Sequence, residues 1–348
     1  MKRIENLPLW KKISFAGAAL TLLAGSLNLA LNTNALGPDD LCGGLISAKQ
    51  AQRTLGHTGR LADNGFATGG SAPEFHCKIE QRSALLGHDN SYLWVDGNQQ
   101  LANFPFVQPR WAYPAEMSFF SGPATGAVSP SDGWILLPES CWRQPTRYDG
   151  TAVPHVRTVE VSSPGHRLES LEMARLLVEA ANNAARLDGC SDQKLKAPAY
   201  ITPVAEPKAT KFSDTCGIEG FSLPTVAGVE RSGSRERSGN FDAPVWTCDL
   251  LPREARSPSV SFAVVRDKTL VSALTQSIDH LRVQPPHGWK ARGDMRTGLV
   301  TSCKGEDTYL SMHLSDTKAG WDEAASQSLF TSFISTTSRK LGCGNVTP

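Results

Sequence analysis

The sequence predicts an α+β protein of two tandem modules. Each is a small, mostly antiparallel sheet packed by a long C-terminal helix and a short N-terminal helix, and one transmembrane helix precedes them. Three observations carry this reading. Eight cysteines fall into two successive sets of four: Cys42, Cys77, Cys141 and Cys190, then Cys216, Cys248, Cys303 and Cys343. Strand-like runs and an amphipathic helix recur in the same order within each set. An uncharged apolar run stands before both sets.

That run, Ile13 to Leu31, carries no charge in 19 residues and follows Lys2, Arg3, Lys11 and Lys12. As a helix it would extend about 28 Å, close to the thickness of a bilayer's hydrocarbon core. The basic residues before it orient the N-terminus inward and the cysteines outward. Residues 1–12 then read as a cytoplasmic tail, 13–31 as a transmembrane helix or signal anchor and 32–40 as a linker. A cleaved signal is the alternative, with Thr33-Asn34-Ala35 as a weak site and a secreted product; it would want a shorter apolar region. Either way the cysteines lie in an oxidising compartment, where widely spaced, even-numbered cysteines read as disulfides.

The first module spans 41–190. It opens with Cys42-Gly43 and a short helical pattern that Ser47 starts and Gly56 stops. An exposed loop follows, then Phe75-His76-Cys77 and the strand-like run 91–96. Gly133-Trp134 precedes Cys141, and an alternating strand over 158–162 leads into an amphipathic helix. Its stripe is Leu168, Leu171, Ala174, Val178, Ala181 and Ala185, and it closes on Arg186-Leu187-Asp188-Gly189-Cys190.

A Pro-rich linker, 191–213, leads to the second module, 214–344. There the same order returns: Cys216-Gly217 with a short helical pattern over 222–229, then Trp246-Thr247-Cys248 and a strand over 259–266. Gly288-Trp289, Cys303 and a strand over 309–314 come next. A stripe of Trp321, Ala325, Leu329, Phe333, Thr337 and Leu341 ends on Arg339-Lys340-Leu341-Gly342-Cys343. In both endings the glycine suits a left-handed helix cap, and the cysteine after it can tie the helix end to the sheet. The favoured pairing is first to second and third to fourth: Cys42–Cys77, Cys141–Cys190, Cys216–Cys248 and Cys303–Cys343. The other pairings within each module stay open on sequence alone.

The openings Cys42-Gly43-Gly44-Leu45 and Cys216-Gly217, each followed by a second cysteine beside an aromatic, resemble small exported domains of actinobacterial envelope proteins. Those domains are mostly of unknown function, often lipoproteins, with relatives among extracytoplasmic sensor modules. The resemblance implies no catalytic residues. This chain departs from it by lacking a lipid-attachment cysteine and by adding a second cysteine pair per module.

Charge excludes one class of partner. Residues 42–190 hold 12 Lys/Arg against 14 Asp/Glu, and 214–343 hold 15 against 15, so neither module can neutralise a phosphate backbone and nucleic acid is not expected. The C-x-x-C spacing of structural zinc sites is absent, so no metal and no cofactor are expected. There is no G-x-S-x-G, H-E-x-x-H or G-x-x-x-x-G-K-[ST] motif. Asp279-His280 and His313 with Asp316 could stand beside a serine as a triad, but sequence proximity does not assign triad partners, and Glu169 with Glu172 reads as the solvated face of a helix.

One segment departs from the repeat. Phe104, Phe106, Trp111, Tyr113, Phe119 and Phe120 stand among Pro105, Pro109, Pro114 and Pro123, and the second module's counterpart lacks this density. These aromatics are either a contact surface for glycan, peptide or lipid, or the filling of the core or of the gap between modules. The sequence therefore predicts a non-enzymatic envelope protein, held by the membrane through its N-terminal helix, with a cell-wall component, small ligand or membrane protein as partner. A sensory or accessory ectodomain of a signalling or secretion complex is the alternative, and a secreted hydrolase the third class.

Overall fold

The computed structural model describes residues 9–65, 74–82, 91–106, 109–111, 113–142, 146–148, 151–223, 233–253, 258–281, 288–294, 298–315, 323–344 and 346. It is an α+β structure with antiparallel sheets, five helices and four disulfides.

Helix α1 (Leu9–Asn32) leads to a two-residue hairpin, β1 (Asp40–Leu41) with β2 (Ile46–Ser47), around a 3-10 turn at Cys42–Gly44. Helix α2 (Ala48–Leu55) begins where the Ser47 hydroxyl accepts the Gln50 N–H at 3.3 Å, and stops at Gly56, φ 78°. Six strands then follow: β3 (Arg60–Asn64), β4 (Phe75–Arg82), β5 (Ser91–Leu101), β6 (Ser118–Phe120), β7 (Gly126–Val128) and β8 (Asp132–Leu136). A small hairpin, β9 (Thr146–Tyr148) with β10 (Thr151–Val153), precedes β11 (His155–Ser162) and helix α3 (Ser170–Leu187). The sheet runs β3-β4-β5-β11-β8-β7-β6, antiparallel throughout.

The C-terminal half holds β12 (Lys208–Ala209), β13 (Arg235–Ser238), β14 (Val245–Leu251), β15 (Val260–Val265) and helix α4 (Lys268–Leu281). After these come β16 (Arg292–Asp294), β17 (Gly298–Cys303), β18 (Glu306–Leu314) and helix α5 (Glu323–Leu341). This second antiparallel sheet runs β12-β13-β14-β15-β18-β17-β16. With the edge strands β6 and β12 set aside, both sheets place six strands in the chain order first, second, third, sixth, fifth, fourth.

Strand alternation decides what each face meets. On β4 and β5, Phe75, Cys77, Ile79, Leu93 and Val95 turn toward α2 and α3, joining Met173, Leu177 and Ala181 in one core. On β14 and β15, Trp246, Cys248, Leu250, Phe262 and Val264 meet Leu329, Phe330 and Phe333 of α5 in a second. A third core lies between the sheets. It joins Phe104, Phe106, Trp111 and Trp134 of the first half to Val265, Leu270, Leu274 and Tyr309 of the second.

Both long helices end as their sequences indicate. Gly189 (φ 63°) and Gly342 (φ 71°) are left-handed, with Gly189 N–H on Arg186 O and Gly342 N–H on Arg339 O. Cys190 N–H reaches Ala185 O at 3.1 Å and Cys343 N–H reaches Ser338 O at 2.9 Å, so each end is a Schellman motif. The disulfides join Cys42 to Cys77, Cys141 to Cys190, Cys216 to Cys248 and Cys303 to Cys343, each within one half of the chain.

Three expectations change. Among the described residues no helix is long and apolar enough to cross a membrane, so the span expected over 13–31 is not supported; side chains 13, 15, 16, 30 and 31 lie outside the description. The two Gly-Trp pairs are not equivalent. Trp134 sits inside β8, in the core between the sheets, whereas Trp289 precedes β16 and packs on Phe330 of α5. The short helix expected after Cys216 is replaced, as far as it is described, by a 3-10 turn at Thr215–Gly217 and an irregular run to buried Phe221 and Leu223, with 224–229 outside the description. Trp321 also falls outside it.

Candidate functional site

The six aromatics of the segment 104–120 turn largely inward. Phe104, Phe106, Trp111 and Phe120 are buried, and Tyr113 and Phe119 are half-buried. Phe104 meets Trp134 edge-on at 4.8 Å, and Phe106 stacks on Phe119 at 6.3 Å and on Tyr309 of the other half at 5.9 Å. The physical reason is the covered second face of each sheet. Val156, Leu136 and Trp134 on one side, and Val265, Val300 and Tyr309 on the other, turn apolar groups away from α3 and α5, and the aromatics and α4 fill the space between them.

Where the segment leaves this core it lines a cleft. Met117, Ser118, Phe119, Phe120 and Pro123 form one wall and the turn 239–247 the other, with the linker residues 196–205 across them. The cleft measures about 640 Å³. That size lies within the range of about 300–1,000 Å³ common to small-molecule sites, which favour the junction of two structural units. The linker is seated rather than loose: Asn182 donates to Leu195 O at 3.0 Å and accepts the Leu195 N–H at 2.8 Å.

Behind Ala115, which lines the cleft, lies a buried polar contact between the halves. The turn Pro114–Glu116 docks on β13, β14 and β15, where the Ala115 N–H donates to Asp249 Oδ2 at 3.2 Å and Arg237 pairs with Glu116 at 2.6 Å. Asp249 is fully buried, and its Oδ1 has no hydrogen bond among the described residues. Burial pushes its carboxyl up to about 7; Glu116 adds to the rise, while Ser261, the Ala115 N–H and Arg237 oppose it. Nearby, Thr125 donates to Asp267 at 3.0 Å, a second polar tie between the halves. Burial also raises the Tyr309 phenol.

Asp249 and its partners are functional candidates that the motif search missed. The available signal was one charged residue, directly after Cys248, in the otherwise uncharged strand VWTCDLL.

The remaining candidate groups hold structure. Glu169 caps α3 by accepting the Leu171 and Glu172 N–H groups, and Glu172 accepts from Gln50 at 3.1 Å and pairs with Arg175. Asp279 is committed to Arg292 at 2.9 Å, and the His280 side chain and Asp316 lie outside the description. Cys42, Cys77 and Asp63 bring metal-ligating types together, but the sulfurs are bonded to each other and Asp63 accepts the Cys42 N–H at 2.6 Å. No family model, curated protein or solved structure matches this chain.

Proposed function

We propose that this chain is a non-enzymatic extracytoplasmic binding protein, built from two copies of one disulfide-stapled module, whose ligand occupies the cleft between them. The observation that carries the reading is the cleft itself: both halves and the linker line it, chiefly with Phe, Met, Pro, Ala and Val side chains interrupted by a few hydroxyls, Asn240 and the charged Lys196 and Asp242. Such a lining suits an elongated, largely apolar ligand held by a few polar contacts.

Duplication is supported by the shared strand order and by features no motif would flag. Cys42 (φ 53°) and Cys216 (φ 61°) both adopt the left-handed conformation. A carboxylate from the adjacent strand holds each N–H, Asp63 at 2.6 Å and Glu236 at 2.8 Å. The four disulfides suit an oxidising environment outside the cytoplasm.

Membrane anchorage through α1 belongs to this reading. It is supported by the uncharged run 13–31 behind four basic residues and by Leu20, Leu22, Leu23 and Leu27, which are 58–71% exposed. The Leu61 N–H donates to Asn34 Oδ1 at 3.1 Å, which ties the end of α1 to β3.

Ala199→Trp tests the cleft. This exposed linker residue lines it, so the variant should fold normally yet fail to retain the ligand that co-purifies with the full-length protein, read by mass spectrometry of extracts. Equal retention by both proteins would refute cleft binding.

A further inference from the structure

We infer that the docking of Pro114–Glu116 on the C-terminal sheet is a proton-controlled latch, closed when Asp249 is protonated and loosened when it ionises. The geometry carries this. Asp249 lies on the face of β14 that the turn covers, opposite Arg237 of β13 and Ser261 of β15 in the strand register. An ionised carboxylate has about four acceptor positions to satisfy. Here the carboxyl receives the Ala115 N–H on Oδ2 at 3.2 Å and a side-chain hydrogen bond from Ser261, while Oδ1 is buried without a hydrogen bond among the described residues. A buried, half-satisfied carboxylate is costly as an anion and much less so as a neutral acid.

The charged groups around it do not, on balance, relieve that cost. The turn contributes Glu116, a like charge that raises the carboxyl, and β13 contributes Arg237, which Glu116 already engages at 2.6 Å. Strand β15, VSFAVV, offers Ser261 and no ionisable side chain, and β14 itself has no other charge. Opening the turn would give Asp249 to water and return it toward its ordinary 3.8, against about 7 when closed. The closed state therefore binds one more proton between these values. It is favoured fully below about pH 4, loses ground as pH rises, and levels off above about pH 7. The open fraction should rise about tenfold per pH unit within that window. The latch shares Ala115 with the lining of the cleft, but the inference does not depend on what the cleft binds.

The test is hydrogen exchange of the Ala115 amide in the full-length protein between pH 5 and 8, expressed as protection so that the intrinsic pH dependence of exchange is removed. Protection should fall about tenfold per unit to near pH 7 and then flatten. Asp249→Asn, which keeps the acceptor and cannot ionise, should hold protection constant across the range. Glu116→Gln, at a half-exposed position, removes the like charge and frees Arg237, so the midpoint should move to lower pH; this variant keeps the test open if Asp249→Asn does not fold. Flat protection in the unmodified protein, the same slope in Asp249→Asn, or an unmoved midpoint in Glu116→Gln would each overturn the latch. None of these readings requires bound ligand, so they stand apart from the Ala199→Trp experiment.

Discussion

Phe106→Ala separates a core role for the aromatic segment from a surface role. Phe106 is 4% exposed and packs on Phe119 of its own half and Tyr309 of the other. Truncation removes a buried ring and leaves a space that two sheets and a helix cannot easily close, a change that costs roughly 3–5 kcal/mol. The ring bridges the halves, so the loss falls on their coupling. With a urea slope of about 3 kcal/mol/M, the midpoint should fall by roughly 1 M or more. The unmodified protein should unfold in one cooperative transition, followed by tryptophan fluorescence and circular dichroism. The variant should show the two probes separating, as one half melts before the other. Tyr113→Ala, at a half-buried position outside this stack, should cost clearly less. A Phe106→Ala midpoint within error of the unmodified protein would refute the assignment of this segment to the core.

Other outcomes follow from the same contacts. Replacing Cys42 and Cys77 by Ser opens a loop of 35 residues and should lower stability by about 4 kcal/mol on the chain-entropy estimate, read by thermal melting without reductant. Because Asp249 stays protonated to about pH 7 when buried, thermal stability should decline from pH 4 to pH 7 more steeply in the unmodified protein than in Asp249→Asn, and equal slopes would contradict the burial argument. Gly189→Ala forces a side chain into φ 63° with open space around it, so it should cost about 1–2 kcal/mol from backbone strain alone, measured by urea midpoint.

The parts of this fold that were legible in the sequence are those set by local rules. Ser47 and Gly56 bound α2, the alternation over 91–96 and 309–314 lies inside β5 and β18, and Gly189 and Gly342 turn their helices left-handed. The cysteine pairing favoured from the elements each pair would fasten is the one the structure has, although the sequence left the other pairings within each module open. Helix α4 carries Leu270, Leu274 and Ile278 at a helical spacing, a pattern masked by the lack of a matching element in the first half. The cleft and Asp249 were illegible for a different reason. Residues 114–119, 196–205 and 239–249 are brought together by the packing of one half on the other, which no local pattern encodes.

That packing also accounts for the segment that broke the repeat. Between the third and fourth strands of the shared six-strand order, the first half inserts residues 102–125 and the second inserts α4. Both insertions enter the same core between the sheets, Phe104, Phe106 and Trp111 from one and Leu270, Leu274 and Ile278 from the other. If the halves are copies, as proposed, the same connection has diverged in each, one toward rigid aromatics on a proline-rich path and one toward a helix. Two identical insertions would have to fit the same shape against themselves; unlike ones can interlock. The divergence left the helix-facing cores and their disulfides recognisable, since those are enclosed within each half. It also created a place where a buried carboxyl, Asp249, meets the backbone of the other half, which is where proton binding can act on how the halves are joined.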